Sequence, residues 1–287
     1  MTNKSRFIFT LGILIMIPVP WSPVVAQAEA PSKSDHIARH TFSDQSLIKA
    51  AHYLLYHPVG NPPPEKRSLL IYLYGAGGSV EDYNFKRAPY ALLREQLAQR
   101  GYTVLVPDLG KYHFMNTQAK TILDGMVAQV LKYESIPANR VHVMGTSMGG
   151  GSSLAYALHR PDMIRSVCAV MPMTDFKDWA IENKGYVDLV ANAYGGIYEK
   201  APEVYDQNSA IKNVEVFKKI PVMLVHGDAD STVLYSQSTK LADLLESKGY
   251  AYTLCTAEAQ EHKDEVMREF QSQAVDFFDT AVRRESK

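Results

Sequence analysis

The stretch Val141-His142-Val143-Met144-Gly145-Thr146-Ser147-Met148-Gly149-Gly150 joins a short, mostly apolar strand to the start of a helix. A serine at such a junction, with glycine two positions before and after it, is typical of a sharp bend that projects the serine hydroxyl over the end of a sheet. Small neighbours are needed because the strand and the helix approach each other closely there. We therefore predict that Ser147 is a nucleophile. A glycine-rich helix start without chemistry is the alternative.

On both sides of this bend, short apolar runs alternate with amphipathic stretches. The predicted strands are Leu69 to Tyr74, Thr103 to Val106, Val141 to Met144, Ser166 to Val170, Val222 to Val225 and Tyr252 to Cys255, and the predicted helices are Ala88 to Arg100, Thr117 to Tyr133, Met148 to His159, Ser236 to Ser247 and Asp264 to Arg283. The alternation predicts an α/β fold with a doubly wound, mostly parallel sheet of about eight strands. The segment Ile37 to His57 is expected to add antiparallel edge strands.

The segment from Met173 to Ile220 separates two predicted strands by far more than an ordinary crossover. Its large aromatic residues include Trp179, Tyr186, Tyr194, Tyr198 and Tyr205. An insertion at this point would lie above the carboxyl edge of the sheet, where such folds bind ligands. We interpret 173–220 as a helical cap-like insertion in which Trp179 contacts substrate. Packing of its aromatic rings only on each other is the alternative.

The N-terminus has the layout of an export signal. A basic start precedes the almost wholly apolar run Phe7 to Ile17, and small residues follow it. This run is much shorter than the ~20 residues of a membrane span, so we predict a signal peptide over 1–28, cut after Ala26 or Ala28, rather than a membrane anchor. The expected mature protein, 29–287, is a single catalytic domain that is secreted or periplasmic and makes no stable membrane insertion.

Composition and charge exclude several classes of protein. The chain has 287 residues, a formal net charge of −1, 46% hydrophobic residues and 21% charged residues. This balance provides no electrostatic attraction to nucleic acid. The histidines are scattered, no C-x-x-C spacing occurs, and the glycines of 75–78 lack the lysine of a phosphate-binding loop. We therefore expect no metal and no cofactor.

Only two cysteines occur, Cys168 and Cys255. A disulfide-stapled scaffold is therefore excluded. In the predicted sheet another strand lies between them, which separates them by about 10 Å. A disulfide needs Cα atoms within about 7 Å. We expect two free, buried thiols.

A second motif, His226-Gly227-Asp228-Ala229-Asp230, follows the predicted strand Val222 to Val225. Together with the run Gly145 to Gly150 it makes the chain similar to the α/β-hydrolase superfamily. More narrowly, the chain resembles the prolyl-oligopeptidase-like and dienelactone-hydrolase-like esterase branches. The resemblance covers about Ser68 to Phe278.

The resemblance implies a Ser-Asp-His catalytic triad. The family pattern after this strand is H-G-x-x-D, in which the final aspartate is the triad acid, and that residue is Asp230 here. Asp228 is the first alternative. Asp175 is the second, because some relatives place the acid one strand earlier. The position of His226 is usually structural in the family.

The general base is expected in the loop after the last strand, because acid and base follow the serine in that order in this fold. His262 is the only histidine beyond His226, and it precedes the final predicted helix. We therefore predict that His262 is the catalytic base. An exposed loop histidine without a catalytic role is the alternative.

A third element, Tyr74-Gly75-Ala76-Gly77-Gly78, follows the predicted strand Leu69 to Tyr74. The family has H-G-x-G here, and the resemblance implies that the backbone N–H groups of Ala76 and Met148 form the oxyanion hole. Tyr74 replaces the usual histidine, and Ala76 stands where oligopeptidases often carry a tyrosine that serves as a further donor. Tyr74 and His113 are predicted to line the substrate pocket with Trp179.

These features predict a secreted serine hydrolase that cleaves carboxylic esters, including acyl groups on carbohydrates. The partner is expected to be a small-molecule or polysaccharide ester. The missing tyrosine at Ala76, and the absence of the large N-terminal propeller of the oligopeptidases, argue against peptidase activity. A small peptidase or amidase, and a non-catalytic binding protein on the same scaffold, are the alternatives.

Overall fold

The computed structural model describes residues 37–43, 51–81 and 88–283. The predicted export signal over 1–28 lies outside these residues. Within them, no helix combines the length and the hydropathy that a bilayer crossing requires.

Eight strands form one sheet in the described residues. They are β1 (Ile37–Phe42), β2 (Ala51–Tyr56), β3 (Ser68–Leu73), β4 (Tyr102–Pro107), β5 (Val141–Thr146), β6 (Ile164–Val170), β7 (Val222–Gly227) and β8 (Tyr252–Ala257). The spatial order is β1-β2-β4-β3-β5-β6-β7-β8. The contacts of β2 with β1 and with β4 are antiparallel, and β4, β3, β5, β6, β7 and β8 are mutually parallel. The predicted α/β fold with a mostly parallel sheet and antiparallel edge strands is confirmed.

The helices are α1 (Ala88–Gln99), α2 (Thr117–Tyr133), α3 (Met148–His159), α4 (Phe176–Glu182), α5 (Val187–Tyr194), α6 (Pro202–Asn208), α7 (Ser236–Ser247) and α8 (Gln271–Arg283). Leu93 of α1 and Phe278 of α8 pack into one apolar core. Leu123 of α2, Leu154 of α3 and Leu241 of α7 pack into a second core. Helices therefore cover both faces of the sheet, which explains why its central strands are apolar on both faces.

The closing helix differs from its prediction over Asp264 to Arg283. The first part, Asp264–Phe270, is a 3-10 helix, and only Gln271–Arg283 is α-helical. Lys263, which precedes it, caps no helical N–H with its side chain. Tight 3-10 turns are frequent where an α-helix begins. This turn brings the start of the segment back toward the carboxyl edge of the sheet.

The insertion between β6 and β7 consists of α4, α5, α6 and the 3-10 segment Ala210–Lys218. Most of its aromatic rings contact each other. The ring centroids of Tyr194 and Tyr205 are 4.8 Å apart, those of Tyr198 and Tyr205 5.6 Å, and those of Trp179 and Tyr186 5.3 Å. These rings also belong to the same apolar core as Leu93 and Phe278, so the insertion is packed onto the main domain. Tyr186, at its margin, lies over the carboxyl edge of the sheet.

The two cysteines occupy β6 and β8, which β7 separates. Both are free and buried, as predicted. Burial raises the pKa of the Cys255 thiol to about 11 and that of Cys168 well above its usual range. Both therefore remain protonated apolar side chains rather than nucleophiles.

Candidate active site

Ser147 stands in the bend between β5 and α3, with φ 54° and ψ −118°. A positive φ is costly for a residue with a side chain, so the surrounding structure must hold it. Small neighbours make the bend possible: a Cβ on Gly149 would lie 1.9 Å from the carbonyl oxygen of Leu73, and one on Gly145 would lie 2.1 Å from the carbonyl oxygen of Gly149. The N–H of Ser147 donates to the carbonyl oxygen of Val170 at 2.8 Å. The sheet thus fixes the nucleophile through its backbone.

The three predicted catalytic side chains meet in one hydrogen-bonded chain. Nε2 of His262 lies 2.8 Å from Oγ of Ser147, and Nδ1 of His262 lies 2.6 Å from Oδ2 of Asp230. The imidazole is 19% exposed, whereas the carboxylate is fully buried. A substrate can therefore reach the base while the acid remains shielded from water.

The carboxylate of Asp230 is held by several donors. Its Oδ1 accepts hydrogen bonds from the backbone N–H groups of Thr232 and Val233, both at 2.9 Å. Burial by itself would raise its pKa, but hydrogen bonds from His226 and His262 outweigh burial and hold the pKa of Asp230 well below its usual range. Asp230 is therefore ionised at neutral pH, as the orienting acid of a triad must be.

The two alternative acids have other partners. Oδ1 of Asp228 accepts the N–H of Ala259 at 2.7 Å. Asp175 caps α4, with its side chain accepting the N–H groups of Lys177 and Asp178. The structure thus joins Asp230, and not these residues, to the imidazole of His262.

On the other side of Ser147 lies the loop that follows β3. A Cβ built on Gly75 would lie 3.5 Å from Cβ of Ser147, so the Gly75–Ala76 backbone borders the nucleophile directly. Met148 is buried at the first position of α3. The two backbone segments predicted to supply the oxyanion hole therefore flank the serine.

Ser147 opens into a cleft of about 360 Å³. Its lining consists of Gly75, Ala76, Thr146, Ser147, Met171, Tyr186, His262, Lys263, Asp264 and Glu265. In the part of the chain that the structure describes, no group of three or more His, Cys, Asp or Glu side chains could hold a metal ion.

The three predicted substrate contacts lie elsewhere. Tyr74, His113 and Trp179 are each at most 3% exposed, and none is on the cleft wall. Burial keeps these rings on internal partners: the Tyr74 hydroxyl lies 3.2 Å from Oδ1 of Asp108, and Nε1 of Trp179 donates to the carbonyl oxygen of Thr232 at 3.1 Å. Trp179 therefore ties the insertion to the loop that carries the acid.

Other residues take the places on the cleft wall. Met171 follows β6 directly, and its position at the carboxyl end of a central strand was a usable signal for it. Tyr186 is one aromatic residue among several in the insertion, and nothing in the sequence distinguishes it from those that turn inward. His226, interpreted as structural, contacts Asp230 at 3.2 Å.

Comparisons with known proteins agree with this geometry. Residues 93–285, more than half of the chain, match the model of the prolyl oligopeptidase family. Human dipeptidyl peptidase 8 is 27% identical over 238 residues, which are 77% of this chain but 26% of that protein. The chain thus spans about a quarter of the length of that relative.

Solved structures share the fold. A puromycin hydrolase superposes with a TM-score of 0.71 at 16% identity, covering 86% of this chain and 39% of that one. A ferulic acid esterase superposes with a TM-score of 0.68 at 16% identity, covering 85% of this chain and 98% of that one. With its fold, its serine bend and its match over 93–285, the chain has the α/β-hydrolase fold and belongs to the prolyl oligopeptidase family.

Proposed function

We propose that the chain hydrolyses carboxylic esters through a covalent acyl-enzyme on Ser147. One observation carries the proposal: an unbroken hydrogen-bonded chain runs from Oγ of Ser147 through His262 to Asp230 beside an accessible cleft. A nucleophile bonded to a base that a third group orients is the arrangement that covalent acyl transfer requires.

In the acylation step, Oγ of Ser147 attacks the ester carbonyl carbon, and its proton passes to Nε2 of His262. The N–H groups of Ala76 and Met148 stabilise the oxyanion that forms. Asp230 accepts the Nδ1–H of His262 and stabilises the imidazolium. The tetrahedral species then collapses: the bond to the leaving alcohol breaks, the alcohol takes the proton from Nε2, and acyl-Ser147 remains.

Deacylation repeats these roles with water. His262 takes a proton from a water molecule as its oxygen attacks the acyl carbon, and the oxyanion forms again between Ala76 and Met148. Collapse of this second intermediate breaks the bond to Oγ, which recovers the proton from His262. The carboxylic acid leaves, and Ser147 is restored.

We expect esters to react faster than amides because of the groups that the cleft offers to stabilise the leaving group and the oxyanion. An amine leaves only after protonation, so amide hydrolysis needs more transition-state stabilisation than ester hydrolysis. The position of Ala76, where similar oligopeptidases often carry a donor tyrosine, offers its backbone N–H alone. The cleft therefore supplies two oxyanion donors, which suits a substrate with a better leaving group.

Amide or peptide hydrolysis is the second candidate. The observation that favours it is the match to the prolyl oligopeptidase family, together with the likeness to a protein named dipeptidyl peptidase 8. The same triad performs both reactions.

For the natural substrate, we propose acyl groups on carbohydrates outside the cytoplasm. The export pattern over 1–28 supports the location, and a secreted or periplasmic enzyme would meet such esters. The half-buried ring of Tyr186 on the cleft wall supports binding of a flat sugar face or an aryl acyl group. Mass spectrometry of the mature N-terminus after expression with export tests the location, and a start at Met1 would contradict it.

The test of the reaction uses a matched pair of acetyl substrates, p-nitrophenyl acetate and p-nitroacetanilide, with a peptidyl p-nitroanilide as a third. We expect cleavage of the ester at least 100-fold faster than that of either anilide. Ser147→Ala is expected to lower kcat for the ester by a factor of about 10⁶, with unchanged thermal unfolding. A fluorophosphonate probe is expected to label the native enzyme and not this variant.

The possible outcomes separate the candidates. Rapid cleavage of the peptidyl anilide would establish the peptidase instead. Absence of labelling and of turnover in the native chain would favour a binding protein on the hydrolase scaffold. Full activity of the Ser147→Ala variant would remove the proposed nucleophile.

A further inference from the structure

A second imidazole contacts the carboxylate of the triad. His226 lies near the end of β7, and its Nε2 is 3.2 Å from Oδ2 of Asp230 and 2.9 Å from the carbonyl oxygen of Val233. The same Oδ2 is 2.6 Å from Nδ1 of His262. One carboxylate oxygen thus lies between two histidine rings, of which His262 faces the cleft and His226 is fully buried.

The partners of His226 define the hydrogen bond that its Nε2 makes. Both neighbours of Nε2 are acceptors, a carboxylate and a carbonyl oxygen, so Nε2 carries a hydrogen and donates it. Nδ1 lies 2.7 Å from Oγ of Ser238 in α7. The two acceptors at Nε2 therefore place an N–H there, directed at Asp230. The Ser238 hydroxyl, which can donate or accept, bonds Nδ1 and holds the orientation of the ring.

The ring serves the catalytic loop rather than the packing of the core. A buried polar ring is costly unless its atoms are hydrogen-bonded, and an apolar side chain would fill the same space without that cost. Here both ring nitrogens have partners, and two of the three partners, Asp230 and Val233, lie in the loop that carries the acid.

We infer that His226 is a positioning residue for Asp230: its Nε2–H, oriented by Ser238, fixes the carboxylate so that Oδ2 faces His262. The inference rests on the proposed function, in which Asp230 orients the catalytic base. Without His226, the carboxylate keeps the two backbone donors to Oδ1 but loses a donor to Oδ2. Rotation of the carboxylate then moves Oδ2 away from the imidazole.

The dependence of kcat on pH is also expected to depend on the contact between His226 and Asp230. The titratable groups that bond the carboxylate are His226 and His262, and the ring of Tyr235 lies 5.7 Å from that of His226. The charged residues Lys263, Asp264 and Glu265 line the same cleft as the base. The hydrogen bond from His226 lowers the pKa of Asp230. Its removal makes the carboxylate more basic and a stronger acceptor of the Nδ1–H of His262, so the loss of activity on acidification begins at higher pH.

The experiment compares three variants in the full chain with p-nitrophenyl acetate. His226→Met removes the donor, His226→Gln offers an amide N–H in place of Nε2–H, and Ser238→Ala removes the group that holds the orientation of the ring. We expect His226→Met to lower kcat by up to about 100-fold with little change in KM, since misplacement of a catalytic group by 1 Å costs about that factor. We expect partial rescue in His226→Gln and an intermediate loss in Ser238→Ala.

His142 and Ser166 provide matched controls. His142, in β5, is also a fully buried strand histidine. Its Nδ1 lies 2.8 Å from Oγ of Ser166, which is not a triad residue. His142→Met and Ser166→Ala remove equivalent groups, and we expect neither to change kcat or the acid side of the pH profile. Urea unfolding of each variant corrects for any loss of folded protein.

The outcomes are distinct. If His226→Met retains kcat and its acid limb once folded protein is counted, or if His142→Met shows the same losses, the positioning role is wrong. If Asp230→Asn itself leaves kcat unchanged, the proposed triad fails instead.

Discussion

The two sides of Ser147 are built from different kinds of chemical group. On the acid–base side, side chains make the contacts: His262, Asp230 and His226 form a hydrogen-bonded row. On the oxyanion side, the groups beside the serine are backbone, from Gly75 and Ala76. The residue type determines what a side chain can donate or accept, whereas the position of a backbone N–H depends on the contacts that hold its loop.

What holds the oxyanion loop is a second loop, Asp108 to His113, which follows β4. The N–H of Gly77 donates to the carbonyl oxygen of Lys111 at 2.8 Å. The Tyr74 hydroxyl accepts the N–H of Leu109 at 3.3 Å and lies 3.2 Å from Oδ1 of Asp108. The family match begins at residue 93, beyond the oxyanion loop.

The largest effect is expected on the acid–base side. Asp230→Asn should lower kcat/KM for p-nitrophenyl acetate by roughly 10⁴-fold, because the imidazole loses its orienting acceptor and adopts the wrong tautomer. Asp228→Asn, two residues earlier, should change it by less than a few-fold. Steady-state kinetics of both variants measures the difference.

The matched pair makes this result decisive. Among the described contacts, the carboxylate of Asp228 accepts a hydrogen bond only from the N–H of Ala259. The Asp228→Asn variant therefore controls for the loss of a loop carboxylate. Equal losses in the two variants, or the reverse ranking, would contradict the assignment of the acid.

A smaller but distinct loss is expected on the oxyanion side. Burial and the nearby carboxylate of Asp108 raise the pKa of Tyr74 well above its usual range, so its hydroxyl remains protonated. Tyr74→Phe releases the loop that carries Ala76. Loss of one oxyanion donor costs about 10²- to 10³-fold in kcat, and a loosened donor should cost part of that, about 10-fold, with KM unchanged.

Tyr156→Phe is the control for the missing buried hydroxyl. Tyr156 is also fully buried, and its hydroxyl donates to Oδ1 of Asp124 at 2.9 Å, away from the cleft. A boronic acid that forms a tetrahedral adduct with Ser147 should bind Tyr74→Phe more weakly, in proportion to kcat. Equal kinetics of Tyr74→Phe and Tyr156→Phe would show that Tyr74 does not hold the oxyanion loop.

The two sides should also differ in their response to acid. Burial lowers the pKa of His113, beside Tyr74, to about 3, against about 6.5 in an unfolded chain. Above pH 6.5 both states hold it neutral, and as the pH falls the unfolded state alone takes up a proton, so stability is lost. Between pH 8 and pH 5 this histidine alone should cost about 2 kcal/mol. Asp230, with its lowered pKa, stays ionised throughout that range.

Urea unfolding at several pH values measures this cost as a slope. His113→Gln should reduce the dependence of the free energy of unfolding on pH by the stated amount. His142→Gln should reduce it equally, because burial lowers the pKa of His142 to about 3 as well. A wild-type slope that neither substitution changes would mean that these rings do not stay neutral in the folded chain.

Sequence patterns predicted the sheet and named the side chains that the structure brings together at Ser147, because both predictions start from local patterns. Apolar runs of strand length and a glycine-flanked serine are local features. Asp230 and His262 could be chosen from motif and order in the chain, although they are 32 residues apart and their 2.6 Å contact depends on the whole sheet.

The substrate wall could not be predicted in the same way. An aromatic residue in an insertion packs inward or outward according to the tertiary arrangement of short helices, and Trp179 and Tyr186 carry no local signal that separates them. Trp179 lies inward, where its indole N–H donates a hydrogen bond to the carbonyl oxygen of Thr232. Tyr74 and His113 were predicted to line the pocket from their order in the chain, but both are buried, contact each other and are not on the cleft wall.

The smallest expected effect concerns that wall. Tyr186→Ala removes the aromatic ring beside the cleft while leaving Ser147, His262 and the oxyanion loop in place. We expect kcat for an acetyl ester to be unchanged and KM for a bulky aryl ester to rise about five-fold, the equivalent of about 1 kcal/mol for one aromatic contact. Tyr198→Ala is the control, because that ring packs on Tyr205 within the insertion. If both variants shift KM equally, the insertion acts through its packing; if only Tyr186→Ala does, its ring selects the acyl or sugar group directly.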